Sequence, residues 1–460
     1  MGAYASLDLS WRNMLFLGIT ARNDWSSTLP KTNRSYFYPS VNGAWAFSEL
    51  IKENNGKWLT FGKLRGGWAS VGGDADPYLL TNVFVPAEVG DGFNNSTVTG
   101  PFPSNSGGTV PGYTISNLGR NSNLKPERTN SWEIGLELAM FSDRVRIDAT
   151  YYNALAKDQI FPINLAPSSG QSTKIINGGE VSNKGIELAA KIVPIRTKSG
   201  FKWEVYGTFT KNVNKVKSLK DGVDQIILGG PSGMSIVAKV GEAYGTFYAL
   251  TEKTDDQGRT IVDATTGQPI LTDKPQTLGS FQPKFIASWG TNLSYKGISF
   301  NILFDTKQGG KIYSRTKDLQ EFVGTSPNTT NNNREDFLIP NSVIETSPGV
   351  YETNTTVKVH HQDYWIDQTD NSRNIIDASF IKLRELSLSY QMPSKWFKNT
   401  KSISGVQISI FGNNLAIWTP KENTFIDPET STNGNGNAQG FEYGTTPTLR
   451  TMGFGIKADF

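Results

Sequence analysis

Apolar and polar positions alternate at period two through about thirteen segments: 3–10, 13–23, 35–47, 58–71, 129–141, 143–157, 184–194, 201–213, 284–295, 297–306, 379–391, 403–412 and 447–460. Period two marks a strand with one apolar and one polar face. In SWEIGLELAM, Trp132, Ile134, Leu136, Leu138 and Met140 share a face against Glu133, Gly135 and Glu137. In RVRIDATYY, Val145, Ile147, Ala149 and Tyr151 oppose Arg144, Arg146, Asp148 and Thr150. In FKWEVYGTFT, Phe201, Trp203, Val205 and Phe209 oppose Lys202, Glu204, Tyr206 and Thr208. The terminal stretch sets Met452, Phe454, Ile456, Ala458 and Phe460 against Gly453, Gly455, Lys457 and Asp459. Many segments reach ten residues or more, whereas strands of globular proteins average about 5–6. A tilted strand crossing a bilayer needs roughly 9–11. Whole charges on the polar face require water there, and aromatics near the strand ends of the apolar face suit a lipid band with interfacial girdles.

The connections carry the second signal. Read back from Phe460, the gap 413–446 is long and 392–402 short; 307–378 is long and the turn at 296 tight. Next 214–283 is long, 195–200 short, 158–183 long and the turn at 142 tight; then 72–128 is long, 48–57 short, 24–34 moderate and 11–12 tight. Outer-membrane barrels have long extracellular loops and short periplasmic turns. The expected fold is therefore all-β, a transmembrane antiparallel barrel. Segment 314–323 reads as a short helix within a loop, and 393–398 as one helical turn beneath the barrel. The loops GFNNSTVTGPFPSNSGG, GTSPNTTNNN and STNGNGNAQG have the composition of solvated connections.

Composition narrows the classes. The 460 residues carry 46 Gly, 11 Trp, 16 Tyr and 25 Phe, which suits strands and turns. Mean hydropathy is −0.38, and no run of about 18 apolar residues offers a membrane-spanning helix. Net charge of +3, with no basic stripe, gives no reason to expect nucleic acid. Cysteine is absent, which excludes disulfides and thiolate metal sites within these residues. The opening MGAYASLDLSWRN has no basic n-region, apolar core or small-residue cleavage site.

Several stretches resemble the SusC/RagA-like family of TonB-dependent outer-membrane transporters of Bacteroidetes. They are 20–50, FGKLRGGWASVGGDADPYLL (61–80), NLKPERTNSWEIGLEL (123–138), NKGIEL (183–188), ASFIKLRELSLSYQMP (378–393), FGNNLAIWT (411–419) and the terminal strand; 278–300 looks like a further strand entry. The resemblance implies a 22-strand barrel, of which about thirteen are present. It also implies an N-terminal signal peptide, TonB box and plug, none of which matches these residues. An odd strand count and two unpaired sheet edges, each costly in hydrocarbon, point the same way. The chain, 1–460, is thus expected to be the C-terminal barrel portion of a longer protein. By the same resemblance it is a nutrient importer for oligosaccharides or peptides. The implied partners are a SusD-like lipoprotein lid, TonB–ExbB–ExbD through the N-terminal part, and outer-membrane lipid. Phe454, Ile456 and Phe460 would be the signal read by the assembly machinery.

Other chemistry is sparse. His360, His361 and Asp363 are too few and too adjacent for a metal site, and 427–438 lacks calcium-loop spacing. No catalytic triad or glycosidase-like acid pair is recognisable, so neither an enzyme nor a cofactor is expected. Loop aromatics Tyr351, Tyr364, Trp365 and Tyr443 are candidates to stack on ligand. The alternative classes are a secreted or surface-attached β-rich glycan-binding protein or adhesin, with shorter strands and a solvated second face, and a surface glycoside hydrolase.

Overall fold

The computed structural model describes residues 1–51, 58–90, 97–99, 101–103, 109–231, 233–367, 369–397, 403–434 and 436–460. Thirteen long strands run in consecutive antiparallel order through one curved sheet. They are β1 (Gly2–Trp11), β2 (Leu15–Trp25), β3 (Ser35–Trp45), β4 (Leu59–Gly73), β5 (Glu127–Met140), β6 (Val145–Asn164), β7 (Thr173–Arg196), β8 (Lys202–Ser218), β9 (Phe285–Tyr295), β10 (Ile298–Gln308), β11 (Phe380–Gln391), β12 (Gly405–Trp418) and β13 (Thr451–Asp459). Each coincides with one alternating segment of the sequence. Among the described residues no helix is long and apolar enough to cross a membrane.

Cross-strand partners share a face, and the register carries the alternation around the sheet. Trp132 lies opposite Trp68, Leu136 opposite Leu64 and Ala149, and Leu388 opposite Phe300 and Ile410. Ile134, Ile186, Ile410, Phe454 and many others on this face are exposed. A soluble sheet would bury such a continuous apolar band; here it is the lipid face. Aromatics border it at both levels. On the long-loop side Trp132 packs on Tyr151, and Trp289 stacks on Phe304 at 5.6 Å. On the short-turn side Phe201 meets Tyr295 at 6.3 Å. A secreted glycan-binding protein would bury this apolar face and use shorter strands; here the apolar face is exposed and β6 and β7 reach 20 and 24 residues.

The short turns are tight. Lys296 and Gly297 both take positive φ, 46° and 88°, the two-residue geometry that matches the twist of adjoining strands. On the opposite side the sheet rises well beyond a bilayer. β6 has 20 residues and β7 has 24. At about 3.3 Å per residue, β6 is roughly 65 Å long. The long gap read at 158–183 is therefore corrected: most of it continues the β6–β7 ladder, and only 165–172 connects. Asp158, at φ 54°, breaks the ladder once within it and disguised the continuation.

The short helix in 314–323 is present as α1 (Arg315–Phe322), and Ser394–Trp396 forms one turn in 393–398, whose last residue lies outside the described set. A second helix, α2 (His361–Ile366), was not anticipated. Most of 92–108 also lies outside the described residues.

Candidate functional site

The face opposite the lipid band carries the charges, largely paired with one another. Arg65 of β4 donates to Glu137 of β5 at 2.5 Å and to Asp148 of β6 at 2.9 Å, and Lys63 also reaches Glu137. Glu204 of β8 takes Lys191 and Lys202 at 3.0 and 2.7 Å. The Tyr206 hydroxyl donates to Asn301, whose amide donates to Glu385. Such a wall needs water beside it, so this face lines a hydrated lumen.

Above the membrane three long connections interlock into a crown. They follow β8, β10 and β12. Met234, Ile236, Phe247, Ala249 and Phe281 from the first, Tyr313 from the second and Phe441 from the third form one buried apolar cluster. The strand Lys311–Ser314 lies between Ile375–Asp377, antiparallel, and Phe441–Glu442, parallel. Glu442 is fully buried at the start of α1. Its carboxylate accepts from the Ser314 hydroxyl at 3.0 Å, the Thr316 hydroxyl at 2.7 Å and amide at 3.2 Å, and the Thr445 amide at 2.9 Å. A negative charge there complements both the helix dipole and the unsatisfied first-turn amides.

The third connection, 419–450, is also tied to the lumen wall. Lys382, near the outer end of β11 and only 1% exposed, donates to Asp427 at 2.7 Å, to Glu429 and to Thr448 at 3.0 Å. Arg384 joins Asp305 of β10 at 2.6 Å to Glu429 at 2.5 Å. A bulge between Leu383 and Glu385 shifts the register, so Lys382, Arg384 and Glu385 all serve the lumen. Burial opposes ionisation of Asp427 and Glu429, but Lys382 on both, Thr448 on Asp427 and Arg384 on Glu429 outweigh it. Both carboxyls are held below their ordinary range. The carboxylates of 427–438 thus serve these cations.

The four loop aromatics do not converge. Tyr364 and Trp365 are neighbours on α2, with ring centres 5.0 Å apart. Tyr364 is enclosed by Phe337 and by the Arg373 guanidinium, 3.8 Å from its ring, and burial pushes its phenol up. Trp365 lines an outward cleft of about 380 Å³ with Phe322, Arg334, Asp336 and His361. Tyr351 sits across from Glu345 in a small hairpin, and Tyr443, 40% exposed, packs on Tyr313 and Phe441. Trp365 has a pocket beside it; Tyr443 is crown packing with one face exposed. His360 contacts Asp363 at 3.3 Å, while His361 meets Trp365 and Asn331. Among the described residues no three His, Asp or Glu side chains gather as metal ligands. In the terminal row Phe454, Ile456 and Phe460 are 77%, 68% and 89% exposed. The Lys382–Arg384 network escaped sequence reading, although two cations at a strand's outer end followed by an acidic DPET loop were a usable signal.

An antiparallel wall with a lipid-facing band, a charged lumen and an elaborate crown on one side is that of an outer-membrane β-barrel. Comparison with known proteins gives the particular family. Residues 1–415 match the model of the TonB dependent receptor-like β-barrel, and the chain belongs to that family. Its members are outer-membrane transporters rather than enzymes. The chain is 27% identical to TonB-dependent receptor P3 of Formosa agariphila, over all of this chain and 45% of that protein. It is 23% identical to TonB-dependent receptor SusC of Bacteroides thetaiotaomicron, over 99% of this chain and 43% of that one. The fold matches the RagAB peptide transporter structure with a TM-score of 0.75 and 18% identity, covering 100% of this chain and 47% of that one. The SusC/RagA-like resemblance thus holds along the chain, which spans about half the length of the curated relatives it matches.

Proposed function

We propose that these residues form the C-terminal barrel portion of an energised importer that takes up oligosaccharides or peptides. A SusD-like lipoprotein would cover the crown, and TonB–ExbB–ExbD would act through a segment N-terminal to the barrel portion. The observation that carries this reading is a charged, hydrated lumen beneath an interlocked crown, in a sheet whose two edges are open. Among the described residues β1 pairs only with β2, and β13 only with β12. All ten residues of β1 are exposed. Unpaired backbone groups cost several kcal/mol each in hydrocarbon, so both edges call for further strands. The lipid-facing row Phe454, Ile456 and Phe460 would act as the assembly signal, and Trp365 and Tyr443 would be the loop aromatics best placed to meet ligand.

The test has two arms. An immunoblot of native outer membranes with an antibody to the loop at 340–360 should show a band near twice 50.5 kDa. Cells lacking the gene should lose uptake of one oligosaccharide or peptide class, and collapse of the proton gradient should mimic that loss. A band at 50.5 kDa in those membranes, or uptake indifferent to the gradient, would overturn energised import.

A further inference from the structure

A cavity of about 340 Å³ lies between the outer extension of β5–β7 and the hairpin formed by Gln225–Gly229 and Met234–Lys239. Glu127 and Val181, which line it, have the same strand parity as the lumen residues Glu133 and Gly185, so it lies on the lumen side of the wall. Its floor is apolar, made by Val181, Leu228 and Ala238 of one buried cluster. The polar side chains that line it are Glu127, Gln159, Tyr244 and Asn437. One Glu127 oxygen accepts from the Ile160 amide at 2.6 Å. Among the described residues no cation acts on this carboxyl; Asp76, the charge nearby, is itself negative. Tyr244 is close enough for the Glu127 charge, added to burial, to push its phenol up, and its hydroxyl forms no hydrogen bond among the described residues.

A cavity of ligand size that sets an apolar surface beside a few polar groups has the form of a small-molecule site, and here the two kinds of surface are about equal. The second Glu127 oxygen takes no hydrogen bond from the described residues, so it is free to accept from a ligand donor. We propose that this cavity is a subsite for an apolar group bearing a primary ammonium, which donates to Glu127 and to the Tyr244 hydroxyl while its body lies on Val181, Leu228 and Ala238. The proposal rests on the import reading only for the route. Binding is measured at equilibrium without transport, so the two can fail separately.

The experiment uses the protein purified from native outer membranes, with ligand-observed NMR titration of 2-phenylethylamine, 2-phenylethanol and 3-phenylpropionate. The amine should bind, the alcohol about 10- to 100-fold more weakly, the range for losing a hydrogen bond to a charged group, and the acid not at all. Glu127→Gln keeps an acceptor for the Ile160 amide and should abolish the preference for amine over alcohol. Ile227→Trp, at an exposed position lining the cavity, should block both probes while leaving Glu127 in place. Equal binding of amine and alcohol, an unchanged preference in Glu127→Gln, or binding of none of the three would overturn the proposal.

Discussion

Replacing Lys382 by Met should release the connection 419–450 from the wall while leaving the barrel assembled. The wild-type ammonium is buried and holds Asp427, Glu429 and Thr448. Met fills similar volume but leaves Asp427 with Thr448 and backbone donors only, whereas Glu429 keeps Arg384. Breaking a buried ion pair by removing one partner costs about 3–5 kcal/mol. At about 1.4 kcal/mol per decade, local opening should become roughly a hundred- to a few-thousand-fold more frequent. Hydrogen exchange of peptides covering 423–448 reads this directly, and retained heat-modifiable migration in SDS confirms an intact barrel. Adding Asp427→Leu should restore much of the protection, because replacing both partners by apolar groups is far less costly than orphaning one. Unchanged exchange in Lys382→Met would refute the reasoning and leave the aromatic cluster around Phe441 as the true anchor.

Phe441→Ala removes a fully buried ring shared by all three crown connections; a loss of about 3–5 kcal/mol should appear as faster proteolysis of 225–281 and 311–323 together, and cleavage confined to 419–450 would count against interlocking. The crown should respond to acid in two opposite ways. Asp427 and Glu429 are held low, so their contribution is present above about pH 4, the unfolded carboxyl value, and lost as pH falls below it; exchange in 423–448, corrected for intrinsic rates, should rise there. Burial raises Glu252 and Asp370, so their contribution is complete below about pH 4 and lost as pH rises through their raised values; the segment 370–377 should be better protected at pH 5 than at pH 8. Deleting Phe460 should lower the amount of barrel in the outer membrane, and undiminished surface labelling would remove it from the assembly signal.

The wall was legible because a lipid-facing strand offers the simplest code in protein sequence, one face apolar and the other polar. All thirteen segments fell on strands, with ends displaced by a few residues where the ladder leaves the bilayer. Beyond that level both faces meet water or loop, and the code dissolves: 158–183 looked like loop although it is mostly strand. The bulge at Arg384 broke alternation where the densest charge network lies. The crown was illegible for a different reason. Phe441 and Phe247 are separated by nearly 200 residues, and neither sits in a periodic segment. Loop aromatics chosen by composition therefore mixed a cleft-lining side chain, Trp365, with packing residues such as Tyr364.

Two sets of contacts hold the third connection, and they differ in kind. Phe441 and Glu442 join it to the other connections, whereas Asp427, Glu429 and Thr448 join it to β10 and β11 of the wall. The first set lies within the crown, and the second crosses from crown to wall. A rearrangement that lifted the crown as one body would have to break the Lys382 network, a buried assembly with few partners in water-poor surroundings. One that left 419–450 in place would have to strip Phe441 from Phe247 and Tyr313. The apolar contacts are many and individually weak, whereas the ion pairs are few and costly to part. Small adjustments are therefore expected within the aromatic cluster, with the strap from Asp427 to Thr448 remaining on the wall as the fixed reference against which the other two connections move.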